Sequence, residues 1–217
     1  MLTSNEINHF TWAGIQWQKQ IGIFRNARIN YNHWARWDFG GQFLYNAFNT
    51  NAHANFTNNW RIGSGLTWNT FDISNNALRG GSSLRRPAGL GNFAYLNTDQ
   101  RKKTVLFINA AHAWGFDQTT RSKNYNANIQ VQPSNAISIN IGIGYGTNFR
   151  KQDQYVADAS FENKSRVIVS EVTQKTMRYT LRLNYNVTPD LTLQYYGQPF
   201  ITRPIYSKFG YVKDPLN

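Results

Sequence analysis

Apolar and polar residues alternate one for one through most of this chain. From Met177 the apolar positions are Met177, Tyr179, Leu181, Leu183 and Tyr185, separated by Arg178, Thr180, Arg182 and Asn184. Ile137, Ile139, Ile141, Ile143 and Tyr145 alternate with Ser138, Asn140, Gly142 and Gly144. Tyr125, Ala127, Ile129 and Val131 alternate with Asn126, Asn128 and Gln130, and Ala27, Ile29, Tyr31, Ala35, Trp37 and Phe39 oppose Arg28, Asn30, Asn32, Arg36 and Asp38. Side chains along a strand point to opposite faces in turn, so a period of two gives each segment one apolar and one polar face. No comparable 3.6-residue period occurs, and the pattern predicts an all-β chain.

The strands are expected over 7–19, 26–39, 42–56, 60–71, 88–97, 101–116, 122–132, 136–148, 176–187 and 190–200. Most exceed the ~5–6 residues usual in soluble sheets and reach the ~9–11 needed to cross a bilayer. The first is the weakest, because Phe10, Trp12, Ile15 and Trp17 do not keep one parity. Tight turns are expected at Thr57-Asn58-Asn59, Asn97-Thr98-Asp99-Gln100, Pro133-Ser134-Asn135 and Thr188-Pro189-Asp190. The longer polar connections, 72–87, 117–121 and 149–175, all fall at the opposite end, and Val167-Ile168-Val169 offers an extra hairpin within the last. Short turns at one end and long loops at the other describe an antiparallel up-and-down transmembrane β-barrel, with about ten strands in this chain. Residues 1–217 read as a single segment of it, with 72–87 and 149–175 as extracellular loops.

Aromatic placement points the same way. Trp37, Phe39, Phe43, Tyr45, Trp114, Phe116, Tyr125, Tyr145, Tyr179 and Phe200 lie toward the loop end, and Phe56, Trp60, Phe93, Tyr95 and Tyr185 toward the turn end. The strand middles are aliphatic. Two aromatic belts around an aliphatic band fit a face that meets both bilayer interfaces.

Composition narrows the classes. The chain has 217 residues with 41% hydrophobic content, and no apolar run approaches the ~18 residues of a membrane helix. Aromatics at 15% against 16% charged residues are the reverse of a disordered chain. There is no cysteine, so disulfides and thiolate metal sites are excluded. The net charge of +12 points to polyanions: nucleic acid, anionic lipid or lipopolysaccharide. Bases and aromatics mostly occupy opposite faces or ends, which argues against a stacking groove for nucleic acid. Met1-Leu2-Thr3-Ser4-Asn5-Glu6 has neither the basic nor the apolar region of a secretory signal.

The segment Leu181–Phe200, with Leu84-Arg85-Arg86-Pro87 and Asn97-Thr98-Asp99-Gln100-Arg101-Lys102, resembles a bacterial domain of unknown function of the DUF5916 type. The resemblance covers most of the chain. It implies a porin-like barrel that follows a carbohydrate-binding domain similar to family 9 modules, in Bacteroidetes and their relatives. It implies a bacterial outer-membrane location and supplies no activity and no site residues. Strands expected before Met1 and after Asn217 are not in the chain, so an internal section of a longer barrel is expected.

Candidate sites follow from the faces. Arg28, Asn30, Asn32, Arg36, Arg61, Asn126, Asn128, Asn140, Arg178 and Arg182 are expected to line the lumen, where amides suit both water and sugar hydroxyls. Arg85, Arg86, Arg150 and Lys151, in the outer loops, are candidates for contact with lipopolysaccharide phosphates. The expected partners are outer-membrane lipid, lipopolysaccharide and saccharide. The expected role is a channel, transporter or anchor linked to saccharide binding; a soluble β-sandwich carbohydrate-binding module is the alternative. No enzyme signature is present: G-x-S-x-G is missing, and His9, His33, His53 and His112 lack metal-ligand spacing, so no cofactor or metal is expected. An outer-membrane lipid hydrolase, using His112 on its apolar face with Ile108, Ala110 and Trp114, is the third reading.

Overall fold

The computed structural model describes residues 5–79, 82–161 and 164–213. In them the chain is all-β, with twelve strands joined in one antiparallel sheet. The strands are β1 (Glu6–Trp17), β2 (Phe24–Asp38), β3 (Phe43–Phe56), β4 (Arg61–Ser74), β5 (Leu84–Arg86), β6 (Gly89–Asn97), β7 (Thr104–Gly115), β8 (Thr120–Ser134), β9 (Ile137–Phe161), β10 (Lys164–Thr188), β11 (Leu191–Gly197) and β12 (Phe200–Tyr211). The main path runs β1-β2-β3-β4-β6-β7-β8-β9-β10-β11, with β5 on β4 and β12 on β10. Among the described residues β1 pairs only with β2, and β11 and β12 only with β10, so the sheet is not closed.

β11 and β12 lie end to end along β10. Leu181–Thr188 of β10 faces β11 and Ile168–Arg178 faces β12. Gln198-Pro199 interrupts them; Pro199 has no N–H to give, but its carbonyl accepts a 2.9 Å bond from the Tyr179 N–H. The two therefore act as one broken strand.

The connections obey the expected asymmetry in part. At one end Asn59 (φ 66°) closes the β3–β4 turn, where the Phe56 N–H reaches the Trp60 carbonyl at 2.8 Å. At the same end Asp99 caps the β6–β7 turn, and β8–β9 and β10–β11 turn tightly. At the other end the loops are shorter than expected. The 72–87 connection contracts to 75–83, since β4 runs to Ser74 and β5 folds back on it. The 149–175 connection is no loop: β9 and β10 pair through it as a hairpin of two 25-residue strands. β9 continues roughly 35 Å beyond Arg150, its last residue paired with β8, opposite Thr120. Both faces of this extension are polar or mixed, so it lacks the alternation that marks a half-buried strand. β12 likewise runs on past residue 200, alongside the upper part of β10.

Among the described residues the sheet has no second layer to bury its faces, so they do not form a two-sheet sandwich. The chain exposes 14537 Å², where a compact chain of 25.0 kDa exposes about 10,200 Å². Buried apolar side chains among the described residues are few: Ala35, Leu44, Ala47, Leu78, Val169 and Val172. The apolar face stays bare, with Ile141 51%, Ile143 47% and Leu181 42% exposed.

The sheet curls toward its polar face. Asp72 on β4 and Val169 on β10 line one cavity of about 670 Å³, although five strand steps of ~4.8 Å would hold them some 24 Å apart in a flat sheet. Across the same gap the Arg79 guanidinium lies 4.9 Å from the centre of the Tyr155 ring. Leu78, in the same loop as Arg79, is buried.

Candidate functional site: the polar concave face

Register places every expected lumen residue on one face. Arg28, Asn30, Asn32 and Arg36 of β2 stand opposite His53, Asn51, Asn49 and Tyr45 of β3. Asn55 then faces Arg61 of β4. Asn126 and Asn128 of β8 face Gly144 and Gly142 of β9, and Asn140 faces Arg182 of β10, with Arg178 opposite Gly144.

The amides bond to one another in groups, of which two are the most extended. In the first, Asn30 Nδ2 donates to Asn51 Oδ1 at 2.7 Å and Asn32 Nδ2 to Asn49 Oδ1 at 2.9 Å. Asn49 Nδ2 reaches the Leu66 carbonyl at 3.0 Å and Thr67 Oγ1 at 2.8 Å. In the second, Asn128 and Asn140 exchange a reciprocal pair at 2.8 Å, and Asn126 reaches Asn109 at 3.4 Å. An amide carries donors and an acceptor together, so a row of them satisfies itself across strands and still offers groups to solvent or ligand.

Rings also occupy this face, which the alternation alone did not reveal. β1 pairs with β2 without a bulge, setting Phe10 opposite Trp34 and Trp12 opposite Asn32. The mixed parity of β1 therefore has a plain reading: Ile7, Ile15 and Trp17 face outward while Phe10 and Trp12 face the concavity. Phe93 and Tyr95, expected in the turn-end belt, point to the polar face opposite Gly65 and Gly63. Tyr45 and Phe200, expected in the loop-end belt, also lie on it, opposite Arg36 and Arg178. The glycines make the room: a Cβ on Gly65 would stand 2.5 Å from the Phe93 ring, and one on Gly63 would enter the Tyr95 ring. The Phe93 and Tyr95 rings lie within 4° of parallel, their centroids 6.5 Å apart. His53 joins Tyr95 to the amide row, its Nδ1 2.8 Å from the tyrosine hydroxyl and its Nε2 2.9 Å from Asn51 Oδ1.

Beside these rings Arg28, Arg61, His53, Asn26, Asn55 and Gln16 surround a pocket of about 290 Å³. At the loop end the face is ionic instead. Arg36 bridges Glu6 at 3.6 Å and Asp72 at 3.1 Å, and Arg86 holds the other Asp72 oxygen at 3.2 Å. Arg182 lies over the Tyr196 ring at 5.0 Å.

Residues 1–214 match the family described as a domain of unknown function (DUF5916). The chain belongs to that family. No curated protein and no solved structure matches it.

In this DUF5916 domain the four loop bases divide by parity. Arg86 and Arg150 share the polar face with Asp72 and Thr120. Arg85 is exposed and reaches over Phe71 at 5.9 Å, and Lys151 is exposed, its N–H bonded to the Thr119 carbonyl at 2.8 Å. His112 lies on the apolar face, where its Nε2 is 2.8 Å from the Tyr125 hydroxyl. Among the described residues no three His, Asp or Glu side chains are grouped to hold a metal ion.

Proposed function

We propose that this DUF5916 domain forms part of the wall of a bacterial outer-membrane barrel whose polar face lines an anion-tolerant passage for saccharides. The observation that carries the reading is the division of one curled sheet: an uncovered aliphatic face outside and a hydrogen-bonded amide face inside. Lipid is the solvent that leaves such an outer face stable, and water or polar ligand the one that suits the inner face. Long strands, tight turns at one end and outward Trp114, Tyr125, Tyr145, Tyr179 and Tyr185 add support. Further strands pairing with β1 and with β11–β12 would close the ring.

Saccharide is the solute that fits best. Near-parallel Phe93 and Tyr95 offer apolar faces for the C–H side of a sugar ring, and the neighbouring Asn26, Asn55, Arg28 and Arg61 offer partners for its hydroxyls. Arg28, Arg61, Arg178 and Arg182 give the passage a positive field. The test is conductance of the full-length protein in planar phosphatidylcholine bilayers. Open events that favour chloride over potassium, with maltohexaose reducing the current, are expected. Arg178→Gln with Arg182→Gln lowers the chloride preference, and Tyr95→Ala weakens the maltohexaose block severalfold. Inserted protein that never conducts would contradict the passage and leave an anchoring role for an attached domain.

A further inference from the structure

The outward face changes character where β7 to β12 approach the loop end. One cross-strand row reads Ala110, Tyr125, Tyr145, Met177 and Ile201 from partner to partner. The next row toward the loops reads His112, Lys123, Thr147, Lys175 and Arg203. Below the tyrosines the same face is aliphatic, through Ile129, Ile141 and Leu181. Apolar, aromatic and cationic layers thus follow one another along a single outward surface.

The cations are not arranged for mutual stability. Lys175 stands directly opposite Arg203, and like charges facing each other across a ladder are destabilising. Arg121, Lys123, Lys151, Lys175 and Lys208 line one groove of about 950 Å³, floored by Tyr125 and Tyr145. Glu171 is the acidic side chain in its lining among the described residues, and Lys208 holds it at 3.2 Å. Among the described residues the other four cations have no carboxylate ion pair. A groove of this size takes a ligand of many atoms, not a lone ion.

We propose that this groove holds the phosphorylated headgroup of an outer-leaflet glycolipid, with Arg121, Lys123, Lys151 and Lys175 on its phosphates and its acyl chains lying down the aliphatic face of β8 to β10. The tyrosine hydroxyls meet the sugar–ester boundary between the two. Arg121, Lys123 and Lys175 occupy the opposite parity of their strands from the concave amides, while Asn148 borders the groove from the polar parity and Lys151 also lines the loop-end cavity. Arg85, on the outward side of β5, lies outside the groove. The inference rests on the outer-membrane reading and gives that reading its lipid.

The experiment uses full-length protein in phosphatidylcholine nanodiscs doped with bisphosphorylated lipid A, with bound lipid counted by native mass spectrometry. Wild type retains the lipid and does not retain its dephosphorylated form. Lys123→Gln with Lys175→Gln lowers retention at least about tenfold, as loss of two charge-assisted contacts should, whereas Arg85→Gln leaves it unchanged. Equal retention by wild type and the double variant overturns the proposal. So does displacement of the lipid by inorganic phosphate as readily as by the lipid itself, which would mark a soluble-anion site. Heat-modifiable gel migration of the same samples separates the two levels. Protein that inserts but does not retain lipid A defeats this site alone, and protein that never inserts defeats the membrane reading with it.

Discussion

From β1 to β6 the polar face carries rings among its amides: Phe10, Trp12, Trp34, Tyr45, Phe93 and Tyr95. From β8 to β10 it carries Asn, Gln, Ser, Gly, Thr and Arg, without a ring between Thr120 and Asn140 on the one side or Gln174 and Asn184 on the other. In the first region a ring needs lateral space, and the facing strand supplies it with Gly63 and Gly65. In the second Gly144 borders side-chain ends: a Cβ on it would lie 2.9 Å from Asn126 Oδ1 and 3.4 Å from Arg178 Nε. One region is therefore fixed by shape and the other by exchangeable hydrogen bonds. The first suits a defined contact with a solute, and the second a wet wall.

The largest break in that comparison should come from glycine. Gly63→Val drives a branched side chain into Tyr95 and His53, and overpacking of this kind costs about 1–3 kcal/mol or more. Gly144→Ala asks only an amide and a guanidinium to move, and should cost under about 1 kcal/mol. Urea unfolding of the two variants, followed by heat-modifiable migration, reads the difference; equal losses would mean that the glycines serve one purpose. Next come the amides. Asn49 is 9% exposed and takes part in bonds to Asn32, Asn51, Leu66 and Thr67. Asn49→Ala strands several of these groups and should cost about 2 kcal/mol, whereas Asn126→Ala loses a 3.4 Å contact and should cost well under about 1 kcal/mol.

The smallest effect belongs outside both regions, in the β6–β7 turn. The Arg101 side chain, at 2.9 and 2.8 Å, and its N–H, at 3.0 Å, hold the Asp99 carboxyl well below the usual carboxylate range. A carboxyl whose folded pKa is depressed stabilises fully above its unfolded value, near 3.8, and loses that contribution as pH falls through the lower folded value. Hydrogen exchange at the Leu106 N–H, which donates to Thr98 Oγ1 at 2.8 Å, should report the turn. After correction for intrinsic exchange, its protection should hold from neutral pH to about 4 and decline only below that. Asp99→Asn should lower it across the range. Decline already at pH 5 to 6 would assign the turn's order to another group.

Period-two alternation made the body of the sheet readable. Segments such as 136–148 and 176–187 keep one apolar and one polar face, and the structure pairs them residue for residue, Ile141 with Leu181 and Asn140 with Arg182. The same signal hides whatever does not separate apolar from polar. Residues 151–161 mix polar and apolar types on both parities, so a strand there looks like a loop. Phe93 and Tyr95 look outward by hydrophobicity, yet they sit inward because of glycines on another strand. The clue was present in Gly63-Ser64-Gly65, where two glycines share a parity, but only register tells which rings they serve. The basic groove was hidden for the same reason: Lys123 and Lys175 become neighbours only through Thr147.

The absence of cysteine permits the most direct test of the two-faced sheet. Single cysteines are placed at 139, 140, 141, 142, 143 and 144 along β9 of the full-length protein reconstituted into phosphatidylcholine bilayers. Each is then challenged with a membrane-impermeant maleimide and with a lipid-soluble quencher of an attached fluorophore. Strict alternation is expected, with 140, 142 and 144 reached from water and 139, 141 and 143 quenched from lipid. Labelling of both parities by the aqueous reagent, or quenching of neither, would contradict it.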